Sequence, residues 1–170
     1  MAITGITFDN QVPTAKALRG AFKSTLSDGI ISGCNITASQ LNVTIGGGLI
    51  NVAGGVFQVV GSETVVLTAS NLYARIKAVI DLSREASISV FNQVYFDVDY
   101  AADPTGFAPL IQEDINTGSG TKYEAEFCVV AITNQAVSSI VRYATAESKL
   151  LYGDTLPSDA PEGTIFLLKI

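Results

Sequence analysis

Carboxylates are the side chains in this sequence best suited to chemistry, because its 170 residues include no histidine and only two cysteines. Without histidine, Ser-His and Cys-His nucleophilic pairs are excluded. Zinc sites built from imidazole or thiolate groups lack ligands. A Ser-Lys pair stays open on composition, but no motif indicates one. The sequence therefore predicts a protein that is not an enzyme.

The most concentrated acidic group is Asp97, Asp99 and Asp103. On a strand, Asp97 and Asp99 share one face, and Asp103 follows in the next loop. Carboxylates at this spacing could hold calcium. The glycine and terminal glutamate of a helix-loop-helix calcium site are absent, however. We expect a solvated acidic strand end, with these three aspartates as the candidate metal ligands, and no cofactor.

Two further sets of residues could act on sugars. A glycosidase needs two carboxyl groups about 5–10 Å apart in a cleft. Glu113, Asp114, Glu124 and Glu126 could supply them, but the solvated face of a sheet explains them more simply. Tyrosines could line a sugar-binding surface, although tyrosines scattered over strands usually pack. They are Tyr73, Tyr95, Tyr100, Tyr123, Tyr143 and Tyr152.

The elements that would position these side chains are strands. Apolar residues alternate with polar ones from Leu72 to Leu82 and again from Val94 to Tyr100. This period of two predicts an antiparallel hairpin with one buried face, turning at Ser83-Arg84-Glu85. Both cysteines, Cys34 and Cys128, fall in predicted strands. We expect buried free thiols, and a disulfide only if those strands are neighbours.

Glycines divide most of the remaining sequence into short strands. We expect turns at Gly46-Gly47-Gly48, Gly54-Gly55 and Gly61-Ser62, and a weaker edge strand from Phe107 to Ile115. About ten strands with turns every eight to twelve residues predict an all-β fold, an antiparallel β-sandwich or jelly roll. The sandwich domain should span residues 28–170.

Residues 1–27 are predicted to form an extended arm and a short amphipathic helix that starts at Pro13-Thr14. The helix has two possible roles: it caps the domain's own sheet, or it docks on a neighbouring subunit. Its candidate docking residues are Leu18, Phe22 and Leu26 on the apolar face, with Lys16, Arg19 and Lys23 beside them.

Charge and hydropathy narrow the class of protein. The net charge is −6, while residues 1–27 carry three basic residues against Asp9 alone, leaving −8 for the rest. An acidic body argues against nucleic-acid binding. The mean hydropathy of +0.37 is high, yet no apolar run reaches the ~20 residues of a membrane span. We expect the surplus apolar surface to lie in contacts between subunits.

Several stretches resemble one family of proteins. They are DGIISGC at 28–34 followed by LNVTIGGGLINVAGGVF at 41–57, then RIKAVIDLS, KYEAEFCVVAIT and the ending YGDTLPSDAPEGTIFLLKI. Together they resemble β-rich modules in the tail, baseplate and fibre proteins of tailed bacteriophages and prophages. The sequence lacks the repeat shaft of a long fibre. A compact baseplate component, a receptor-binding module or a capsid decoration or head-fibre protein fits better.

The resemblance implies a structural role in the virion, after assembly in the host cytoplasm. It implies homo-oligomers, commonly trimers, and contacts with other virion proteins through the N-terminal region. It supplies no catalytic residues. The alternative is a carbohydrate- or receptor-binding module whose partner is a glycan on the host surface.

Overall fold

The computed structural model describes residues 14–68, 71–87, 91–153 and 165–168. The predicted arm and the proline-rich loop at 156–161 lie outside them. The described residues form one helix and ten strands: α1 (Ala15–Thr25), β1 (Gly29–Gly33), β2 (Ile36–Ser39), β3 (Asn42–Val52), β4 (Gly55–Val66), β5 (Tyr73–Asp81), β6 (Val94–Ala101), β7 (Lys122–Thr133), β8 (Ala136–Tyr143), β9 (Leu150–Gly153) and β10 (Ile165–Leu168).

The first sheet is built around β3. Strands β1 and β2 lie end to end along one edge of β3, separated by Cys34 with φ of 54°, and β4 pairs with the other edge. The predicted turns at Gly46-Gly47-Gly48 and Gly61-Ser62 were wrong, because both fall within strands at a shared bulge. The glycines serve a close approach instead: a Cβ on Gly48 would collide with the backbone of Ser32 and Cys34.

The second sheet has the strand order β6-β5-β7-β8, and all its pairs are antiparallel. The predicted pairing of β5 with β6 is confirmed, with Ile80 opposite Val94. The predicted three-residue turn was wrong, because residues 82–93 connect the two strands. Strands β7 and β8 meet at Asn134-Gln135, where both residues have positive φ, as a two-residue hairpin turn requires.

The two sheets pack face to face, which confirms the predicted all-β sandwich with a short N-terminal helix. Each sheet is made of consecutive strands, and β9 and β10 form a separate parallel pair. The core includes an edge-to-face pair of aromatic rings, Phe96 and Phe127, with centroids 5.2 Å apart. The inner faces of β3, β5 and β7 supply most of the core: Val43, Ile45, Ile50, Val52, Ala74, Ile76, Ala78, Ile80, Ala125, Phe127, Val130 and Ile132.

A long connection covers the outer face of the second sheet. The predicted strand from Phe107 to Ile115 is reduced to one bridge, between Gln112 and Tyr123. Ahead of that bridge, the Ala108 carbonyl accepts a hydrogen bond from Arg75 on β5, and the Phe107 ring lies 4.9 Å from the guanidinium of Arg75. The expectation of one buried face on β5 was therefore wrong, since both faces are covered.

Candidate functional site

Helix α1 is fixed against the turn between β3 and β4. Its N-cap is Thr14, whose hydroxyl accepts a hydrogen bond from the Ala17 amide at 3.1 Å. Gly54 in the turn has φ of 81°, and a Cβ there would collide with the Arg19 carbonyl. Only a glycine lets the helix backbone approach this closely. The helix therefore belongs to the body of the domain.

The basic side chains of α1 point toward the protein's own loops. Lys16 Nζ donates to the Gly118 carbonyl at 3.0 Å, and Arg19 donates to the Ile115 carbonyl at 3.3 Å. Lys23 Nζ lies 5.7 Å from the centre of the Tyr123 ring. These three candidate docking residues act as anchors, which matches the capping role that the sequence left open.

The apolar side of α1 is only partly covered. Leu18 and Phe22 are 42% and 44% exposed, whereas Leu26 is partly buried where the helix ends. Leu18 and Phe22 line one groove with Val56 on β4 and Phe91 just before β6. We call these four residues the apolar groove. It brings together two of the predicted docking residues with two that the sequence did not single out.

Two of the three predicted metal ligands, Asp97 and Asp99, form ion pairs with basic side chains of the protein itself. Lys77 Nζ lies 3.2 Å from Asp97 and 3.0 Å from Asp99, and Arg75 lies 2.6 Å from Asp99. Asp103 instead accepts hydrogen bonds from the amide and hydroxyl of Thr105. Among the described residues, no three His, Cys, Asp or Glu side chains are grouped to hold a metal ion.

Asp97 and Asp99 belong to a wider charge network on the outer face of the second sheet. Lys77 Nζ also reaches Glu124 at 3.2 Å, and Glu124 contacts Lys122, while Glu126 and Arg142 form a separate ion pair. The six network members and this pair together carry four positive and four negative charges: Arg75, Lys77, Lys122, Arg142, Asp97, Asp99, Glu124 and Glu126. Such complete pairing accounts for charges that lie partly out of water.

Hydrogen bonding shifts the pKa of these groups away from general acid or base work at neutral pH. Burial lowers the pKa of Lys77, but hydrogen bonds to Asp99, Glu124 and Asp97 outweigh burial and hold it above its usual value. Burial raises the pKa of Glu124, yet hydrogen bonds from the Ile111 amide, Lys122 and Lys77 hold it below its usual value. Both groups thus stay charged.

The other predicted carboxylates are also engaged. Glu113 accepts hydrogen bonds from the amides of Thr121 and Lys122, which lower its pKa. Asp114 accepts bonds from the backbone and hydroxyl groups of residues 116–118, chiefly Thr117, and its pKa falls well below the usual range. Hydrogen bonds thus favour the ionised form of both carboxylates, whereas the general acid of a glycosidase has a raised pKa.

The tyrosines do not form a common surface. Tyr100 accepts hydrogen bonds at its hydroxyl from Thr68, and Tyr95 lies beneath the guanidinium of Arg84 at 3.7 Å. Burial raises the pKa of Tyr123. Tyr143 is the one exposed tyrosine among the described side chains. Among the described tyrosines, Tyr143 is thus the one whose ring is available to a bound sugar.

Both cysteines are buried free thiols, as predicted. Burial raises the pKa of Cys34, and burial with the nearby Glu126 charge raises the pKa of Cys128 to about 12. A thiol with a raised pKa stays protonated near neutral pH and reacts slowly. Neither cysteine is suited to nucleophilic chemistry.

The sequence analysis missed the contrast between the outer faces of the two sheets. One charged residue, Glu63, occurs between Asp28 and Arg75, and Glu63 lies opposite the buried Ile45, on the inner side of the sheet. The outward side chains of the first sheet form what we call the uncharged face: Ser32, Thr37, Ser39, Asn42, Thr44, Leu49, Gln58, Val60, Thr64 and Val66. The sequence signal that could have predicted this face is the 46-residue interval at 29–74, which contains one charged residue.

Comparisons with known proteins give no family assignment. No protein-family model matches the chain, and a search of curated proteins found no match. Among the described residues, no helix is long and apolar enough to cross a membrane.

Proposed function

We propose that this chain is a non-enzymatic structural protein of a tailed-bacteriophage virion, assembled in the host cytoplasm. In this role it associates with copies of itself and attaches to other virion proteins through its N-terminal region. The phage assignment rests on the resemblance of residues 28–57 and the later strands to tail, baseplate and head-fibre modules. A trimer is the self-assembly that this resemblance favours.

The observation that carries the proposal is the exposed Leu18–Phe22 pair on an anchored helix. Lys16 and Arg19 tie α1 to the loop at 115–118, so the helix does not need its apolar side to hold its place. Apolar side chains left in water on a fixed element are typical of a surface that a partner covers. The chemistry of the apolar groove suits an apolar segment of another virion protein.

The paired charges support a role without catalysis. Each of the seven carboxylates singled out from the sequence accepts hydrogen bonds or contacts a cationic side chain, as Glu124 does with Lys77. Such a protein acts by assembling with its partners, and burial of apolar surface in the contact drives that assembly.

Glycan recognition is the second candidate, and one observation favours it. Tyr143 is exposed at a groove between β1, β2 and β8, beside Asn35 and Thr37, which could hydrogen-bond a sugar. Binding of the purified protein to a glycan array, lost in Tyr143→Ala, would favour this role. If the protein binds neither the glycan array nor intact host cells, glycan recognition is excluded as its function.

The test of the virion role uses particles from the phage or induced lysogen that carries the coding sequence. After density-gradient purification, we expect mass spectrometry to find the chain in intact particles. Absence from intact particles would overturn the proposal.

Matched variants test the attachment site. Leu18→Ser with Phe22→Ser should fold normally and be lost from particles. The control, Ile111→Ser with Val141→Ser, changes side chains of similar exposure, 42% and 41%, elsewhere on the surface. The control should be incorporated like the wild type. Equal incorporation of both double variants would exclude the apolar groove as the attachment site.

A further inference from the structure

The outer faces of the two sheets differ in their charge and in how far other residues cover them. The outer face of the second sheet carries the charge network and is partly covered by residues 107–111. The uncharged face of the first sheet is open, and none of its side chains is ionisable. The outer face of an antiparallel sheet that meets only water normally alternates polar or charged residues with the core. The uncharged face keeps this alternation, since seven of its ten side chains are polar, but it carries no charge and exposes Leu49, Val60 and Val66.

The uncharged face is continuous across the three rows of strands. Thr37, Thr44 and Thr64 lie side by side in register, and the Thr44 and Thr64 hydroxyls are 3.4 Å apart. Most of its side chains are short or β-branched. At its edge, Val60 and Val66 are 82% and 71% exposed. These two valines are apolar surface that a partner could cover.

The open edge of the same sheet adds hydrogen-bonding capacity. Strand β4 has twelve residues and pairs with β3 on one edge, and no described strand pairs with its other edge. Edge strands in stable monomers usually carry lysine or proline, or are very short. β4 is long and has neither lysine nor proline, and its protective features are the bulge at Gly61 and the inward-facing charge of Glu63.

Charge selects the partner. The protein carries a net charge of −6, so two copies repel unless they meet where charge is absent. In a two-fold contact each patch meets itself, and any charged residue near the axis would face its own copy. The uncharged face avoids this repulsion, whereas a partner recognised by charge would find no complementary group there.

The size of the uncharged face can be taken from its strands. On β3 it runs from Asn42 to Leu49, because Asn51 is buried, and these eight residues span about 26 Å at about 3.3 Å per residue, while three rows of strands span about 14 Å. About 370 Å² on each copy gives about 740 Å² for a pair, so contacts along the free edge of β4 must add to it for the pair to reach the roughly 1,000 Å² of a specific interface.

We propose that the uncharged face, together with the free edge of β4, is the surface through which copies of this chain associate. The proposal rests on the proposed function, because it names the surface by which the structural protein would self-assemble.

Sedimentation velocity of the full-length chain over a range of concentrations tests the surface. We expect the wild type to associate, with a dissociation constant that added salt does not raise. Val60→Lys at the edge and Thr44→Lys at the centre should each raise that constant by about 100-fold or more, because a charge would be buried without a partner. The control is Val141→Lys on β8, which makes the same change of charge and should leave association unaltered.

The added lysine separates a local effect at the contact from the general electrostatic repulsion between copies. Each lysine variant changes the net charge from −6 to −5, which weakens the general repulsion between copies, so a loss of association must come from the contact itself. Circular dichroism must show an unchanged β signal. Thiol labelling gives a second readout, since Cys34 and Cys128 are buried: in Val60→Cys the new thiol should be protected in the associated state, while in Val141→Cys it should react freely.

The outcomes separate the two proposals. Association that survives both Val60→Lys and Thr44→Lys, or an unprotected thiol in Val60→Cys, overturns this surface and leaves self-assembly standing. A wild type that stays monomeric overturns the surface and self-association. The virion role would still be decided by the purified particles.

Discussion

Replacing Lys77 with methionine should lower the free energy of unfolding by about 3 kcal/mol at pH 7. The Lys77 side chain is 6% exposed and its Nζ atom contacts Asp97, Asp99 and Glu124 within 3.0–3.2 Å. Methionine preserves much of the side-chain volume but removes the charge. The three carboxylates would then lose the cation that they share.

The expected loss of about 3 kcal/mol depends on which cationic partners each carboxylate retains in Lys77→Met. At an effective dielectric constant of about 20, a contact at 3.1 Å gives about 5 kcal/mol before desolvation. Breaking a buried pair costs about 3–5 kcal/mol net. Asp97 is half exposed and contributes little. Asp99 retains Arg75 and Glu124 retains Lys122, which places the loss at the lower end of that range.

The dependence on pH provides a second check. Burial raises the pKa of Asp99 and Glu124, but hydrogen bonds from cations and, for Glu124, the Ile111 amide outweigh burial, so both values are depressed. Their stabilising effect is therefore present above an unfolded pKa of about 4 and is lost as pH falls through the lower folded value. The pKa of Lys77 is raised, so its own effect is lost at alkaline pH. The deficit of Lys77→Met should thus shrink below about pH 4.

Urea unfolding at pH 7 and at pH 3.5 measures both effects. Lys122→Met is the matched control, because Lys122 contacts the same Glu124 oxygen at the same 3.2 Å but is 30% exposed. It should cost less than about 1 kcal/mol. A loss below about 1 kcal/mol for Lys77→Met, or an equal loss at both pH values, would refute the argument that Lys77 compensates the partly buried charges of Asp99 and Glu124.

Two variants and one labelling measurement on the native protein test the packing. Gly54→Ala should cost about 2–3 kcal/mol in urea unfolding, because the new Cβ meets the Arg19 carbonyl at positive φ, and wild-type stability would disprove that contact. Phe127→Ala should cost about 3–5 kcal/mol by the same measurement, and a loss under 1 kcal/mol would show that its cavity closes. Native protein should show no thiol reacting with Ellman's reagent at pH 8, and two after unfolding, since Cys34 and Cys128 are buried; fast native reaction would contradict their burial.

The local patterns in the sequence predicted much of the fold. The period of two found β5 and β6 and their antiparallel pairing. The turn predicted at Gly46-Gly47-Gly48 was wrong because Gly48 allows two strand backbones to approach closely and does not form a turn. Gly48 lies inside β3 because β1 leaves no room for a side chain, and no local signal separates that reason from a turn.

Features that depend on distant residues could not be predicted. Lys77 and Asp99 looked like solvated side chains because the sequence does not show that residues 107–111 cross that face. For the same reason Lys16 and Arg19 looked free for a partner, while the loop at 115–118 accepts their hydrogen bonds. The exposure of Leu18 and Phe22 followed from how the helix is anchored, which depends on tertiary contacts.

The division of consecutive strands between the sheets has a consequence for synthesis. A ribosome completes β1 to β4 before any residue of the second sheet is made, and hairpins of neighbouring strands close with little loop entropy. The uncharged face and the free edge of β4 are then present on the nascent chain while the core side still lacks its cover. We expect neighbouring chains on one polysome to meet first through this sheet, so that pairing of copies precedes completion of each domain.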